Sequence, residues 1–251
     1  MKRVFHPKYE SKKEEIESLI FNFDRSGEQL GKGDRNKIKL YELDGVTINV
    51  KSFKVPNIFN KIAYRFFRKS KAERSFEYAN KLTVLGIGTP QPIAYYEFPT
   101  PLFYKKSFYV SEHQAYDLTY RELTHNLEYP DHETILRAFT RFSYNLHQNN
   151  ILFLDHSPGN TLIKKKNDSY TFSLVDLNRM EFRPLSFTTR IKNFERLTVH
   201  ESMVRTMSDE YAKCSGESFD KIFDIMWSST QAFQEKFHKK KRLKKRLKFW
   251  K

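Results

Sequence analysis

The amino-acid sequence predicts an α+β fold in which a small sheet lobe precedes a mainly helical lobe. Apolar residues alternate in several short runs before about residue 110, they recur at helical spacing after about residue 130, and a polar loop lies at the junction. With 251 residues and 39% hydrophobic content, the chain can bury a sizeable core as one bilobal domain or as two small ones. We divide it into residues 1–110, 111–235 and 236–251.

The first predicted element is a β-hairpin. Apolar and polar residues alternate in "KIKLYEL" and "VTINVKSF", on either side of the turn Asp44-Gly45. A helix follows in "KSKAERSFEYANKLTVLG", where Phe76 and Leu82 share one side and Gly86 marks the end. "TPQPIAYYEF" and "KKSFYVSEH" then predict two further strands, which complete the sheet lobe.

The helical lobe is predicted to begin with an amphipathic helix from about residue 132 to 149. Its apolar positions are Ile135, Phe139, Phe142 and Leu146. This helix leads into "LDHSPGNTLI", a loop in which Pro158 fixes one backbone dihedral and Gly159 permits a left-handed one. "TLIKK" and "YTFSLVDL" predict a short hairpin after the loop, and the remainder is predicted to be helical.

The net charge of +15 is concentrated at the end of the chain. The last sixteen residues, here called the basic tail, contain ten Lys or Arg and no acid. As a helix the tail would place Leu243, Leu247 and Trp250 on one stripe among cations, a pattern typical of interfacial amphipathic segments. A nucleic-acid-binding arm depends on its charge and less on an apolar stripe, so no nucleic acid is expected as a partner. A disordered solubilising tail is the remaining alternative. A second basic stretch lies at residues 61–74.

The single cysteine, Cys214, excludes an internal disulfide framework and a cysteine-rich zinc site, as expected in a reducing compartment. The first residues lack the apolar stretch of a signal peptide, and nowhere do 18 apolar residues run together. The sequence therefore predicts a cytoplasmic protein with no membrane-spanning segment.

Four polar residues follow the predicted elements in a fixed order. Lys51 lies on the second hairpin strand, where it alternates with Ile48 and Val50 and so leaves the sheet on the face opposite the core. Asp155 and Asn160 lie five positions apart in the polar loop, and Asp176 ends the strand after it.

This series resembles the protein-kinase-like fold. Asp155 and Asn160 keep the interval of the catalytic loop HRDxxxxN, "VDLN" at 175–178 lies where DFG is expected, and "INVK" at 48–51 takes the place of VAIK. More specifically, "FLDHSPGNTLI" followed by "LVDLNRM", together with "GIGTPQPIAYYE", resembles the bacterial lipopolysaccharide kinase family. The resemblance covers roughly residues 30–200 and implies a bilobal kinase fold with one helix in its small sheet lobe.

The resemblance implies an ATP-dependent kinase that phosphorylates a sugar hydroxyl, on Kdo or heptose, of the lipopolysaccharide inner core or a lipid A precursor. Asp155 would accept the hydroxyl proton, Asn160 and Asp176 would bind Mg²⁺, and Lys51 would reach the α- and β-phosphates of ATP. The alternatives are a small-molecule kinase of the aminoglycoside or choline type and a non-catalytic pseudokinase scaffold. With the basic tail on the anionic inner leaflet, the enzyme would be peripheral to the inner face of the inner membrane. No protein partner is predicted.

Further nucleotide-binding residues are inferred from their positions. Gly31 and Gly33 would let backbone amides approach the phosphates. The stretch Ser111 to His113, with Glu112 at its centre, would form the adenine-binding hinge.

The partner of Lys51 is expected on the following helix. Glu77 is favoured and Glu73, one turn earlier, is the alternative, since both lie on nearly the same face. Lys54 is the fallback for Lys51 itself.

The sequence also departs from the kinase pattern. Phe153 replaces the histidine of HRD, and Asn178 replaces the DFG glycine while keeping a tolerance for positive φ. No APE motif follows, so regulation by loop phosphorylation is not expected. His156, beside Asp155, is expected to hydrogen-bond or to lie exposed.

Overall fold

The structure is a computed structural model that describes residues 1–31, 36–53, 69–99 and 104–248. The described chain contains two compact units. The first comprises Met1–Ala115 together with Val175–Asn178, and the second comprises Tyr116–Leu174 together with Arg179–Lys251. The short DFG-like segment thus belongs with the sheet unit, although its neighbours in sequence belong to the helical unit.

An antiparallel sheet dominates the first unit. Its described strands are β1 (Lys2–Phe5), β2 (Glu28–Leu30), β3 (Asn36–Leu43), β4 (Val46–Phe53), β5 (Pro92–Pro99) and β6 (Tyr104–Glu112). They lie in the order β1-β5-β6-β4-β3-β2. The described α-helices of this unit are α1 (Lys13–Phe21) and α2 (Lys71–Val84). The strands β3 to β6 and helix α2 confirm the predicted elements, whereas β1, α1 and β2 were not predicted.

The predicted hairpin is formed by β3 and β4. Leu43 pairs with Val46 across the turn, where Asp44 has a φ of 49° and Gly45 a φ of 77°. Two successive positive φ values twist the turn in the same sense as the strands. This turn fixes the register of β4, and the register decides which face Lys51 occupies.

Helix α2 packs on the sheet through the predicted apolar side. The side chains of Phe76 and Tyr95 lie with ring centroids 5.4 Å apart, and Phe53 belongs to the same buried cluster. Ser70 caps the helix, since its hydroxyl accepts a hydrogen bond of 3.0 Å from the backbone N–H of Glu73.

The second unit is mainly helical. Its helices are α3 (Tyr120–His125), α4 (His132–Gln148), α5 (Phe187–Lys192), α6 (Glu201–Ser215) and α7 (Phe219–Lys248). Its described strands are β7 (Leu118–Thr119), β8 (Ile151–Phe153), β9 (Thr161–Lys166), β10 (Ser169–Leu174) and β11 (Met180–Phe182). The predicted hairpin after the polar loop is β9 paired with β10, and β8 pairs with β11.

Helix α4 anchors the polar loop to the core of the second unit. Ile135, Phe139 and Leu146 are fully buried, as their helical spacing predicts, and Phe142 is partly buried. Because β8 follows directly after α4, the loop starts from a buried strand, and its position is set by the core.

The basic tail begins inside a helix. Helix α7 is 30 residues long and runs to Lys248, so no break separates residues 236–248 from the rest of the unit. Every side chain from Lys236 to Arg246 is exposed. Leu243 is on the helix as predicted, whereas Trp250 lies outside the described residues. Among the described helices, none has the length and apolar character needed to span a membrane.

Candidate active site

Lys51 forms an ion pair with Asp176 inside the first unit. On β4 it lies opposite Tyr109 of β6 and Ile38 of β3, in the middle of the sheet. Its side chain is 13% exposed, and its Nζ donates to Asp176 Oδ1 over 2.7 Å. The first unit therefore holds one cation and one carboxylate together, at two of the positions expected to serve ATP and its metal.

The backbone of the DFG-like segment turns at Asp176. Asp176 has a φ of 59°, a left-handed conformation that Asp and Asn tolerate better than most residues. Asn178 has no positive φ, so the tolerance for such a conformation that asparagine provides is not used at this position. Instead, Asn178 Nδ2 donates to Asp176 Oδ1 over 2.6 Å. Its role is to hold the carboxylate of Asp176.

The two glutamates expected to hold Lys51 have other partners. Glu77 pairs with Lys69, which precedes helix α2. Glu73 accepts from Lys2 Nζ over 2.7 Å and from the Tyr95 hydroxyl over 3.3 Å. The two glutamates of helix α2 therefore pair with cations other than Lys51, one on strand β1 and one just before the helix, and the expected partnership with Lys51 is not formed.

The predicted nucleotide-binding backbone is only partly described. Gly31 has a φ of 77°, and no described atom lies within 4 Å of where a Cβ would be, as suits a turn that approaches a ligand. Gly33 and Lys54 lie outside the described residues.

At the predicted adenine hinge, several groups already have partners within the first unit. The backbone N–H of Glu112 donates to Gln91, and that of His113 donates to Thr47. The Glu112 carboxylate accepts from Lys8 Nζ over 3.0 Å and from the Tyr9 hydroxyl. Glu112 therefore ties the sheet to the N-terminal segment, a contact that the sequence interpretation did not include.

The polar loop of the second unit is held by its own asparagine. Asn160 Nδ2 donates to the backbone carbonyl of Asp155 over 2.8 Å, so the two residues of the motif brace each other. Gly159 has no positive φ, so the left-handed conformation that glycine permits is not adopted here. A Cβ at this position would meet the guanidinium at the end of the flexible Arg121 side chain, which would have to shift.

Arg196 contacts the candidate base directly. Its Nη1 donates to Asp155 Oδ1 over 2.8 Å and to the carbonyl of Leu154 over 3.0 Å. The sequence interpretation missed this residue, because a lone arginine 41 positions after the loop carries no motif. The Asp155 side chain remains 22% exposed, so a substrate hydroxyl can reach it.

His156 lies buried among aromatic side chains. It is 1% exposed, with the rings of Phe139 and Phe153 at 5.4 and 5.8 Å. Burial lowers the pKa of its imidazole to about 3, so the ring is neutral at neutral pH. The buried Phe153 packs under the loop, and His156 is neither the exposed residue that was one expectation nor a general base near neutral pH.

A family model described as the lipopolysaccharide kinase (Kdo/WaaP) family matches residues 37–214. The chain belongs to this family. The family resemblance predicted from the loop and strand motifs is therefore confirmed, and membership makes the chain a phosphotransferase that uses ATP.

A solved structure described as WaaP in complex with acyl carrier protein shares the fold of this lipopolysaccharide kinase family member. The TM-score is 0.65 at 15% sequence identity, over 95% of this chain and 99% of that chain. This likeness confirms the predicted protein-kinase-like fold. A search of curated protein sequences finds no match.

Each unit of this kinase offers an oxygen of the kind that Mg²⁺ binds. In the second unit Asn160 uses its Nδ2 as a donor, which leaves its Oδ1 to act as a ligand, and in the first unit Asp176 offers a carboxylate. Mg²⁺ prefers oxygen ligands and commonly takes one or two carboxylates, with substrate phosphates and water completing its shell. Among the described residues no group of three His, Cys, Asp or Glu side chains forms an all-protein metal cage.

Proposed function

We propose that the protein transfers the γ-phosphate of ATP to a sugar hydroxyl of the lipopolysaccharide inner core, on Kdo or heptose of a lipid A precursor. The observation that carries the proposal is the Asp155 carboxylate, fixed through Oδ1 in the loop that corresponds to the kinase catalytic loop. Its Oδ2 keeps lone pairs for a substrate. Family membership supports lipopolysaccharide as the acceptor class.

In the proposed reaction, Asp155 accepts the proton of the acceptor hydroxyl. The hydroxyl oxygen forms a bond to the γ-phosphorus, the bond from that phosphorus to the β,γ-bridging oxygen breaks, and ADP leaves. Lys51 neutralises charge on the α- and β-phosphates. Asn160 and Asp176 would hold Mg²⁺, which when bound supplies positive charge to the phosphate oxygens. The protein contributes mainly position and electrostatics, as phosphoryl transfer requires.

The acceptor is identified from the product. The purified protein is incubated with Mg·ATP and a lipid A precursor that carries Kdo, or with one that also carries heptose, and each product is analysed by mass spectrometry. We expect one added phosphate on a core sugar of at least one acceptor. Phosphate transfer to an aminoglycoside or to choline, with both lipids unchanged, would replace the lipopolysaccharide substrate by a small molecule. If ATP with Mg²⁺ fails even to raise the melting temperature, a pseudokinase scaffold is favoured.

The basic tail is proposed to dock the enzyme on the anionic inner leaflet, which places it at the inner face of the inner membrane. Each Lys or Arg near an anionic surface contributes up to about 1 kcal/mol, and salt screening leaves less than the sum. Exposed Phe237 and Leu243 on helix α7 would add apolar insertion. Because Lys236 to Arg246 are all exposed, this segment is available for a surface without disturbing the core.

Deletion of residues 236–251 separates docking from chemistry. We expect the truncated protein to lose binding to vesicles of anionic phospholipid and to react slowly with acceptor embedded in them. A deacylated, soluble acceptor sugar should be phosphorylated almost as before, because the deleted side chains from 236 to 246 are exposed. Raised salt should reproduce the deletion only in part, since the apolar contacts persist. Equal loss on both acceptors would contradict membrane docking.

An acyl carrier protein is the alternative binding partner of the basic tail, because the WaaP structure is a complex with one. It is tested by measuring binding of the full and truncated chains to acyl carrier protein in parallel with the vesicles. If the deletion abolishes carrier-protein binding and leaves vesicle binding intact, the tail is a protein-docking segment and the membrane proposal fails.

A further inference from the structure

We infer that Arg196 is a positioning residue that fixes the carboxylate of Asp155 for proton acceptance. One guanidinium nitrogen, Nη1, bridges Asp155 Oδ1 and the backbone carbonyl of Leu154. The bridge ties the side chain of Asp155 to the main chain of its own loop. The inference rests on the proposed function, because it assumes that Asp155 is the base.

Arg196 is itself held in place from several sides. Its guanidinium lies 5.6 Å from the ring centroid of Phe233 on helix α7. Three residues earlier, Asn193 Nδ2 donates to the carbonyl of Phe153 over 2.9 Å, and Asn193 Oδ1 lies 3.2 Å from His147 Nε2. Segment 193–196 therefore contacts the last residue of strand β8 and the first two residues of the loop. Together these contacts restrict the loop far more than a single surface ion pair would.

The bridge assigns different roles to the two carboxylate oxygens of Asp155. Oδ1 accepts a charged hydrogen bond from the guanidinium of Arg196, which holds this oxygen in one place. Oδ2 is left to accept a proton. Without Arg196 the side chain would sample other rotamers and both oxygens would compete for the substrate. We expect the loss of Arg196 to lower kcat more than it changes KM, because Arg196 is not proposed to bind ATP or the acceptor.

The test compares Arg196→Gln and Arg196→Lys with the unmodified full-length protein. We expect Arg196→Gln to lower kcat by about 10²-fold, the order of loss that a misplaced catalytic group produces. The KM values for ATP and for the soluble acceptor should remain within about twofold. Arg196→Lys keeps the charge but not the planar donor, so it should recover part of the lost kcat.

Arg205→Gln is the matched control. Arg205 lies in the same unit, pairs with Glu201 over 2.7 Å, and lies 4.4 Å from the ring centroid of Phe223 on helix α7. It therefore reproduces the ion pair and the ring contact of Arg196, on helix α6 instead of beside the loop. Arg205→Gln should leave kcat unchanged. If both glutamine variants lower kcat in proportion to their melting temperatures, Arg196 is a stability residue and the inference is overturned.

A double variant gives the decisive readout. In the Asp155→Asn background, Arg196→Gln should change kcat by less than about threefold, because there is no longer a base to position. A further loss as large as in the unmodified protein would overturn the inference, since it would show that Arg196 acts independently of Asp155. An active Asp155→Asn variant would instead refute the proposed role of Asp155. If Asp155→Asn is impaired while Arg196→Gln has the kcat of the unmodified protein, the positioning role of Arg196 is refuted and the proposed role of Asp155 stands.

Discussion

Asp155→Asn is expected to lower kcat by about 10²- to 10⁴-fold while Mg·ATP binding is retained. The range is the usual contribution of a positioned general base. Asparagine keeps the shape of the side chain and its Oδ1 can still accept from Arg196, so the loop should keep its structure. What the variant loses is the carboxylate lone pair that accepts the proton of the acceptor hydroxyl.

The effect is measured by steady-state kinetics with a soluble acceptor, and ATP binding by titration calorimetry. Asp131→Asn is the control, since Asp131 also belongs to the second unit and accepts from the Tyr170 hydroxyl over 2.6 Å and from Lys165 Nζ over 3.1 Å. Asp131 has a φ of 59°, which Asn tolerates, so the control should remain active. An Asp155→Asn variant with kcat near that of the control would exclude Asp155 as the base.

Asp176→Asn is expected to weaken the binding of Mg·ATP by roughly ten- to a hundredfold, the range for loss of a charged interaction. It removes the negative charge that pairs with Lys51 and, in the proposal, binds the metal. Asn tolerates the positive φ at this position, so the backbone turn should persist. Titration of both aspartate variants with ATP and Mg²⁺ measures the difference. Equal ATP affinity in the two variants would mean that the roles of the two carboxylates are wrongly assigned.

Lys51→Met accompanies this experiment, with Lys54→Met as its comparison. The Lys51 ammonium contacts Asp176, so we expect its loss to reduce activity far more than the loss of Lys54. If Lys54→Met reduced activity more than Lys51→Met, the phosphate-binding lysine would be Lys54.

The strongly periodic elements of the fold were predictable from local sequence. Strands β3 and β4 alternate around an Asp-Gly turn, and helix α4 carries four apolar residues at helical spacing. Strand β1 has four residues and β2 has three, and neither is buried in the way that produces a clear alternation. Such short edge strands depend on the partner strand that the rest of the fold supplies, and local sequence carries little signal for them.

The sequence by itself determined the order and spacing of the candidate site residues. The interval from Asp155 to Asn160, the position of Asp176 after a strand and the position of Lys51 on another are properties of chain order, and they sufficed to indicate the family. The phosphate-binding role that the resemblance implies for Lys51 also predicted that it would need a carboxylate partner. It did not identify which carboxylate that is.

Tertiary structure alone decided how these residues are paired. Lys51 and Asp176 are 125 positions apart, and Arg196 and Asp155 are 41 apart, so no local pattern links the members of either pair. Glu77 and Glu73 satisfied every rule of helical spacing, yet they bind Lys69 and Lys2. A charged side chain pairs with whichever opposite charge the packed backbone brings within a few ångströms, because the attraction depends on distance and burial and not on separation along the chain.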